Sequence, residues 1–308
     1  MSAPLPQKQG VAPSYLWLPE GVWPDMLSFL VSYYPHIDAA TWKARMARGE
    51  VVDRAGLPLL PETPYVRGRC MFYYRELDAE TPIPFQEQIL FRDAHLLVVD
   101  KPHFLPVTPG GRFLQESLLV RLKNSTGLEH LTPIHRLDRE TAGVVMFSHN
   151  PDTRGLYQSM FQKRVVDKLY HALAPLMAGR ALPMVYRSCL VKGEPFFRMR
   201  EIDGCANAET HIDLLEQRAG LGLYALRPVT GRQHQLRVHM AALGCAIVND
   251  GFYPEALPCK QDDFSQPLQL LAKQIAFADP LNGTLRQFES LRKIDFPEGV
   301  DFYRRFPI

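Results

Sequence analysis

The chain has 308 residues, 46% hydrophobic and 22% charged, with a formal net charge of +2 and five cysteines. That balance fits a globular protein with a sizeable core and excludes a globally disordered chain. An odd cysteine count with no Cys-x-x-Cys pair speaks against a disulfide framework or a four-thiolate zinc site, so reduced thiols in a cytoplasmic protein are expected.

Residues 1–20 hold four prolines and little periodicity, which predicts an irregular lead-in. Pro24 suits a first helical turn, and Met26, Leu27, Leu30 and Val31 recur at helical spacing. Asp38 can cap a second helix carrying Ala39, Trp42 and Met46, with Gly49 as its stop. Short strands are expected at residues 50–53 and 70–75, with a turn at Ala55-Gly56. A module over residues 21–77 is too small to bury much alone. Residues 78–88, with two prolines, read as an exposed linker.

The larger domain, residues 89–308, opens with a dense apolar strand at 96–99. A short helix is expected at 114–122 and a buried strand at 143–148. Asn150-Pro151 opens a helix with Leu156 and Met160 inward. Strands follow at 166–174 and 222–227, and a helix at 233–243 stops at Gly244. Without a regular βαβ alternation the pattern argues for an α+β fold. No apolar run reaches the ~18 residues of a membrane span. No apolar stretch follows a basic start, so no signal peptide is expected either.

Charge is unevenly spread. Residues 41–77 hold seven Lys and Arg against four Asp and Glu, and residues 112–170 hold nine against six. Each segment is +3, leaving −4 for the rest. This fits an anionic ligand met over part of the surface, or plain scatter on solvated faces.

The most informative stretch is Pro133-Ile134-His135-Arg136-Leu137-Asp138-Arg139-Glu140-Thr141-Ala142-Gly143, a charged loop ahead of the most apolar strand. Arg136 and Arg139 flank Asp138, and a nearby cation keeps a partly buried carboxylate ionised. Such a carboxylate is a nucleophile or a base. A turn cap or a simple salt bridge is the alternative reading.

His135-Arg136-Leu137-Asp138 followed by Thr141 and Gly143 resembles the central motif of the RluA-type, or large-subunit, pseudouridine synthase family. Three other blocks agree in order: Asp93-Ala94-His95-Leu96-Leu97-Val98-Val99-Asp100-Lys101-Pro102; Lys168-Leu169-Tyr170; and Thr230-Gly231-Arg232-Gln233-His234-Gln235-Leu236-Arg237-Val238-His239 with Gly244 and Asp250-Gly251. The similarity covers roughly residues 85–255. It implies a mixed, largely antiparallel sheet with flanking helices, acting on structured RNA, ribosomal or transfer, without a cofactor. By the same resemblance Asp138 matches the catalytic aspartate and Tyr170 the tyrosine against the uracil. Arg232 matches the arginine pairing with the carboxylate, although Arg237 is near enough in sequence to be confused with it. Arg136 matches the arginine that fills the gap left by a flipped base. His135, Arg139, Lys168 and Arg237 are further RNA-contact candidates.

The chemistry is consistent with such residues. An N1–C1′ bond breaks and a C5–C1′ bond forms, with no redox change and no departing group. A stacked base hides these atoms, so the nucleotide must be extruded. Asp138 could add to C6, attack C1′ or abstract the C2′ proton. Three positions depart from the family pattern: Ala142 where serine is usual, Thr108 where histidine is common, and Val248-Asn249-Asp250 where Gly-Asp is usual.

Residues 21–77 also resemble an S4-type RNA-binding module, with Lys43, Arg45 and Arg48 as phosphate candidates. Asp53-Arg54-Ala55-Gly56 replaces the usual Val-Asn-Gly turn. A monomer is the expectation. A metal hydrolase using His135, His234 and His239 with Asp138 is a poor rival, because residues 234 and 239 lack the i, i+4 spacing of a helical zinc pair. A non-catalytic RNA-binding protein is the other alternative.

Overall fold

The structure, a computed structural model, describes residues 3–77, 79–177, 179–257 and 263–297. Cys259 lies outside them. Two compact units divide the chain: one formed up to Glu80 with Pro109–Gln115, the other by Thr81–Thr108 and the chain from Glu116.

In the first unit, β1 (Ser14–Trp17), β2 (Val51–Asp53) and β3 (Cys70–Tyr73) form an antiparallel sheet in the order β1-β3-β2. Helices α1 (Met26–Tyr33) and α2 (Ala39–Ala47) cover it through Met26, Phe29, Leu30, Trp42 and Met46. The Asp25 carboxylate accepts from the Ser28 amide at 2.7 Å and Asp38 from Thr41 at 2.6 Å, satisfying amides that a helix start leaves open. Pro24 therefore precedes the cap instead of entering the first turn. Gly49, at φ +68°, ends α2 as expected. The lead-in is not wholly irregular. β1 escapes the sequence pattern because it is four residues long and turns Tyr15 and Trp17 outward.

The second unit carries β4 (Gln88–Arg92), β5 (Leu96–Lys101), α3 (Leu118–Thr126), β6 (Thr132–Pro133), β7 (Ala142–Ser148), α4 (Pro151–Lys163), β8 (Asp167–Pro175), β9 (Met184–Lys192), β10 (Met199–Ile202), β11 (Ala208–Arg218), β12 (Leu221–Pro228), α5 (Gln235–Ala242), β13 (Leu270–Ala278) and β14 (Leu285–Glu289). Its sheet runs β10-β9-β11-β12-β8-β13-β7-β5-β4, with β14 on β13 and β6 on β7. Only β7 and β13 pair in parallel among the described strands, so the sheet is mixed and largely antiparallel. β5 and β7 are buried at every position, which is why their apolar runs are continuous. β9, β10, β11 and β14 mix buried or half-buried positions with exposed ones, so no dense run marks them. Among the described residues no helix is long and apolar enough to cross a membrane.

Two helix expectations shift. α3 begins at Leu118, not residue 114, because the Leu114 and Gln115 amides bond the Glu80 carboxylate at 2.6 and 2.9 Å. In α4 Met160 is buried as expected, but its inward companion is Tyr157, fully buried, while Leu156 is 45% exposed. The Tyr157 hydroxyl donates to buried Asp279, so a polar partner selects the face. Residues 79–87 carry no regular element, yet Ile83 is buried, and the Arg121 guanidinium donates to the Ile83 and Phe85 carbonyls at 2.7 Å each.

Candidate active site

The loop ahead of β7 is fastened on both sides of Asp138. Before it, the His135 Nε2 accepts the Met146 amide at 3.1 Å, and the ring stacks on Phe161. Burial, then nearby Lys168, push His135 down to about 3, so it stays neutral and can accept. After it, the buried Lys101 ammonium donates to the Pro102, Leu105 and Arg139 carbonyls at 2.9, 2.7 and 3.0 Å. Three acceptors match the three protons of an ammonium. The Thr141 amide closes the turn onto the Asp138 carbonyl at 3.2 Å. Gly143 then brings β7 against β13: a Cβ there would stand 2.2 Å from the Ala272 oxygen, and φ is +112°.

Asp138 emerges from this turn with its side chain 29% exposed. Its Oδ2 accepts from Arg237 Nη1 at 3.0 Å, whereas Oδ1 has no hydrogen-bond donor among the described residues. Arg237 lies in the first turn of α5 and is 2% exposed. Its Nε and Nη2 donate to Asp250 Oδ2 and Oδ1 at 2.8 and 2.7 Å. Asp250 also accepts the Phe252 and Tyr253 amides. Burial works against the Arg237 charge, but Asp250 and then Asp138 outweigh it and raise its pKa above the arginine norm. The guanidinium therefore stays a permanent cation beside Asp138. The Phe252 ring lies 4.8 Å from it.

His234 stands just before α5 in the left-handed region, φ +54°. Its Nδ1 meets the Tyr253 hydroxyl at 2.9 Å, and its Nε2 lies 3.6 Å from Asp138 Oδ2, too far for a hydrogen bond. Tyr170, on β8, pairs with Leu226 of β12 and Ala272 of β13. Burial and then the Asp138 charge raise its phenol pKa above the usual tyrosine value, so it keeps its proton. Its hydroxyl makes no hydrogen bond among the described residues.

The family model described as RNA pseudouridylate synthase matches residues 95–242. The dual-specificity RNA pseudouridine synthase RluA of Vibrio vulnificus is 32% identical over 214 residues, 65% of this chain and 80% of that protein. The chain belongs to the RluA-type family of RNA pseudouridine synthases. An uncharacterized RNA pseudouridine synthase of Synechocystis is 29% identical over 76% of this chain and 81% of its own. The structure of human RNA pseudouridylate synthase domain containing 1 superposes with a TM-score of 0.57 at 22% identity, over 70% of this chain and 86% of that one, a likeness of fold. The chain is thus an isomerase acting on RNA.

In this synthase the expected partner of Asp138 is corrected. Arg232 is exposed and donates from Nε to the Asn207 carbonyl at 3.3 Å, while Arg237 makes the ion pair. Arg232 sits in the irregular turn ahead of His234, whereas the α5 backbone turns Arg237 inward. Among the RNA-contact candidates, Arg136 is exposed and has no ion-pair partner among the described residues. Arg139 donates to Glu140 at 2.7 Å, and Lys168 to the Thr230 carbonyl at 3.3 Å. Burial and then Arg164 push Lys168 down to about 8. His135 is committed to its two contacts within the fold.

In the first unit, Lys43 is exposed, but Arg45 is buried and bonded to Glu76, and Arg48 pairs with Glu50. Arg45 is therefore no free phosphate contact. Its helix position looked solvated because Glu76 is distant in sequence. His239, in the rival metal reading, bonds Ser188 and Thr210 instead. Asp250, the residue that holds Arg237, was visible only as part of a matched block. Its signal was an acid in an apolar stretch shortly after a cation-bearing helix.

Proposed function

We propose that Asp138 initiates the uridine-to-pseudouridine isomerisation on an extruded nucleotide of structured RNA, ribosomal or transfer. One observation carries this: the carboxylate has one oxygen held by a buried, permanently charged guanidinium and the other free to meet substrate. Addition to C6, attack on C1′ and abstraction of the C2′ proton all begin from that free oxygen, and all remove the Asp138 negative charge. That loss matters for Tyr170. While Asp138 is ionised it helps hold the phenol proton, so in the resting site Tyr170 offers a ring face to uracil and a hydroxyl donor. Once Asp138 has reacted, that opposition vanishes and the phenol ionises more readily, although its burial remains; to take the C5 proton, Tyr170 must first release its own proton to solvent or to the substrate. The exposed Arg136, on the same loop, has the planar guanidinium to stack into the vacated gap and contact phosphate. Lys43 and the S4-like module would add sequence-independent RNA contacts.

The deciding experiment compares wild type with Asp138→Asn in two assays, binding to total cellular RNA and chemical mapping of pseudouridine in that RNA. Binding is expected to survive while isomerisation stops, and deletion of the protein should erase one or a few pseudouridine sites. Identical RNA from both proteins would assign the chain to RNA binding without catalysis.

A further inference from the structure

Phe196 is 88% exposed, more than any other aromatic residue among those described. It occupies the tip of the β9–β10 hairpin. Two backbone bonds close that tip: the Gly193 amide donates to the Arg198 carbonyl at 2.9 Å and the Arg198 amide to the Pro195 carbonyl at 2.8 Å. Exposing a phenyl ring at a turn gains nothing for the fold.

The ring is not isolated from the chemistry. Phe196 packs edge-on against Phe197 at 5.6 Å, and Phe197 lies 5.0 Å from Phe252. Phe252 in turn lies 4.8 Å from the Arg237 guanidinium that holds Asp138. A file of aromatic rings thus runs from solvent to the guanidinium that holds Asp138. Cations accompany it. Residues 192–200 carry Lys192, Arg198 and Arg200 against the single acid Glu194. Lys192 is the cross-strand partner of Met199, which places it on the hairpin face that packs with Tyr253 and Phe252. It is exposed and makes no ion pair among the described residues.

We propose that Phe196 and Lys192 form a nucleotide subsite in which the Phe196 ring stacks on an unpaired base flanking the target uridine and Lys192 meets the adjoining phosphate. The proposal rests on the reading that this site takes RNA. A base face and a phosphate are the ligand chemistry that an exposed ring and an unpaired ammonium on one hairpin recognise. The ring contacts link the hairpin tip to the wall of the site that holds Arg237.

The test uses the full chain and a fluorescein-labelled, unstructured oligouridylate followed by anisotropy, for wild type, Phe196→Ala, Phe196→Trp and Lys192→Gln. Phe196→Ala should weaken binding by about fivefold to a hundredfold, the range that loss of one base stack gives, and Phe196→Trp should restore it. In the Phe196→Trp variant, RNA should also quench the indole emission beyond the change seen in wild type. Lys192→Gln should reduce the slope of log affinity against log salt by about 0.7, the loss of one single-strand phosphate contact. The idea is overturned if Phe196→Ala binds the oligonucleotide as wild type does. It is equally overturned if that variant only disperses a wild-type dimer, which assigns the ring to a second copy. Binding here is read apart from product. Loss of pseudouridine formation in wild type would sink the catalytic reading and leave the subsite standing.

Discussion

Arg237 in the second unit and Arg45 in the first meet their carboxylates in similar ways. Both side chains are nearly buried, both donate two bonds to one carboxylate, and both have an aromatic ring beside the guanidinium. The difference lies in what remains unsatisfied. Around Arg237 each nitrogen of the cation has a partner: Asp250 takes Nε and Nη2 and Asp138 takes Nη1, and the open valence belongs to a carboxylate oxygen. Around Arg45 the open valence belongs to the cation, whose buried Nη1 has no partner, while Glu76 is 48% exposed. A buried ion pair is common structural chemistry, and alone it marks no active site. The proposed reactive group, Asp138, sits where the fold completes the cation and leaves the anion short.

The comparison breaks most sharply at Asp138. Asp138→Asn should lower turnover by more than about 10³-fold, on the scale of losing a nucleophile or base, with an unchanged unfolding midpoint in urea. Tyr170→Phe should keep the ring and lose the hydroxyl. Turnover is expected to fall by roughly 10²-fold, as for loss of a proton-transfer group, with RNA affinity held within about threefold. A stopped-flow measurement with turnover unchanged would confine Tyr170 to packing.

Arg237→Met should cost about 3–5 kcal/mol, because it leaves buried Asp250 without its cation. Adding Asp250→Leu should recover much of that stability while turnover stays lost, which separates holding the fold from holding Asp138. Arg45→Met should instead stay within about 1 kcal/mol, since Glu76 returns to solvent, and turnover should not change.

His239 shares α5 with Arg237 and tests how dry that helix is. Burial pushes its imidazole down to about 4 from 6.5. Below pH 6.5 the unfolded chain binds a proton that the folded chain refuses until about pH 4, so stability is lost as the pH falls through that window. The loss is at most about 1.4 kcal/mol per pH unit. Replacing His239 by Gln should flatten the urea midpoint against pH there by one proton.

Local chemistry was legible where it acts over a few residues. The Asp38 cap, the Gly49 stop, the Asn150-Pro151 helix start and the continuous apolar runs of β5 and β7 follow from hydrogen bonds and burial within one element. The hairpin bearing Phe196 was not legible, because its strands include exposed positions and carry charge.

The amino-acid order alone determined the family, the α+β class and the position of Asp138, because four blocks of residue types at set spacing survive without knowledge of their contacts. Tertiary structure decided which arginine meets that aspartate, which face of α4 turns inward and where the loose cations lie. Asp138 and Arg237 are 99 residues apart in the chain. Their meeting depends on how β7, β8, β12 and β13 line up and on α5 packing over Ala172, Ala174, Tyr224 and Leu226. Strand register and helix rotation are set by the whole core, so a local window around Arg232 and Arg237 contains nothing that chooses between them.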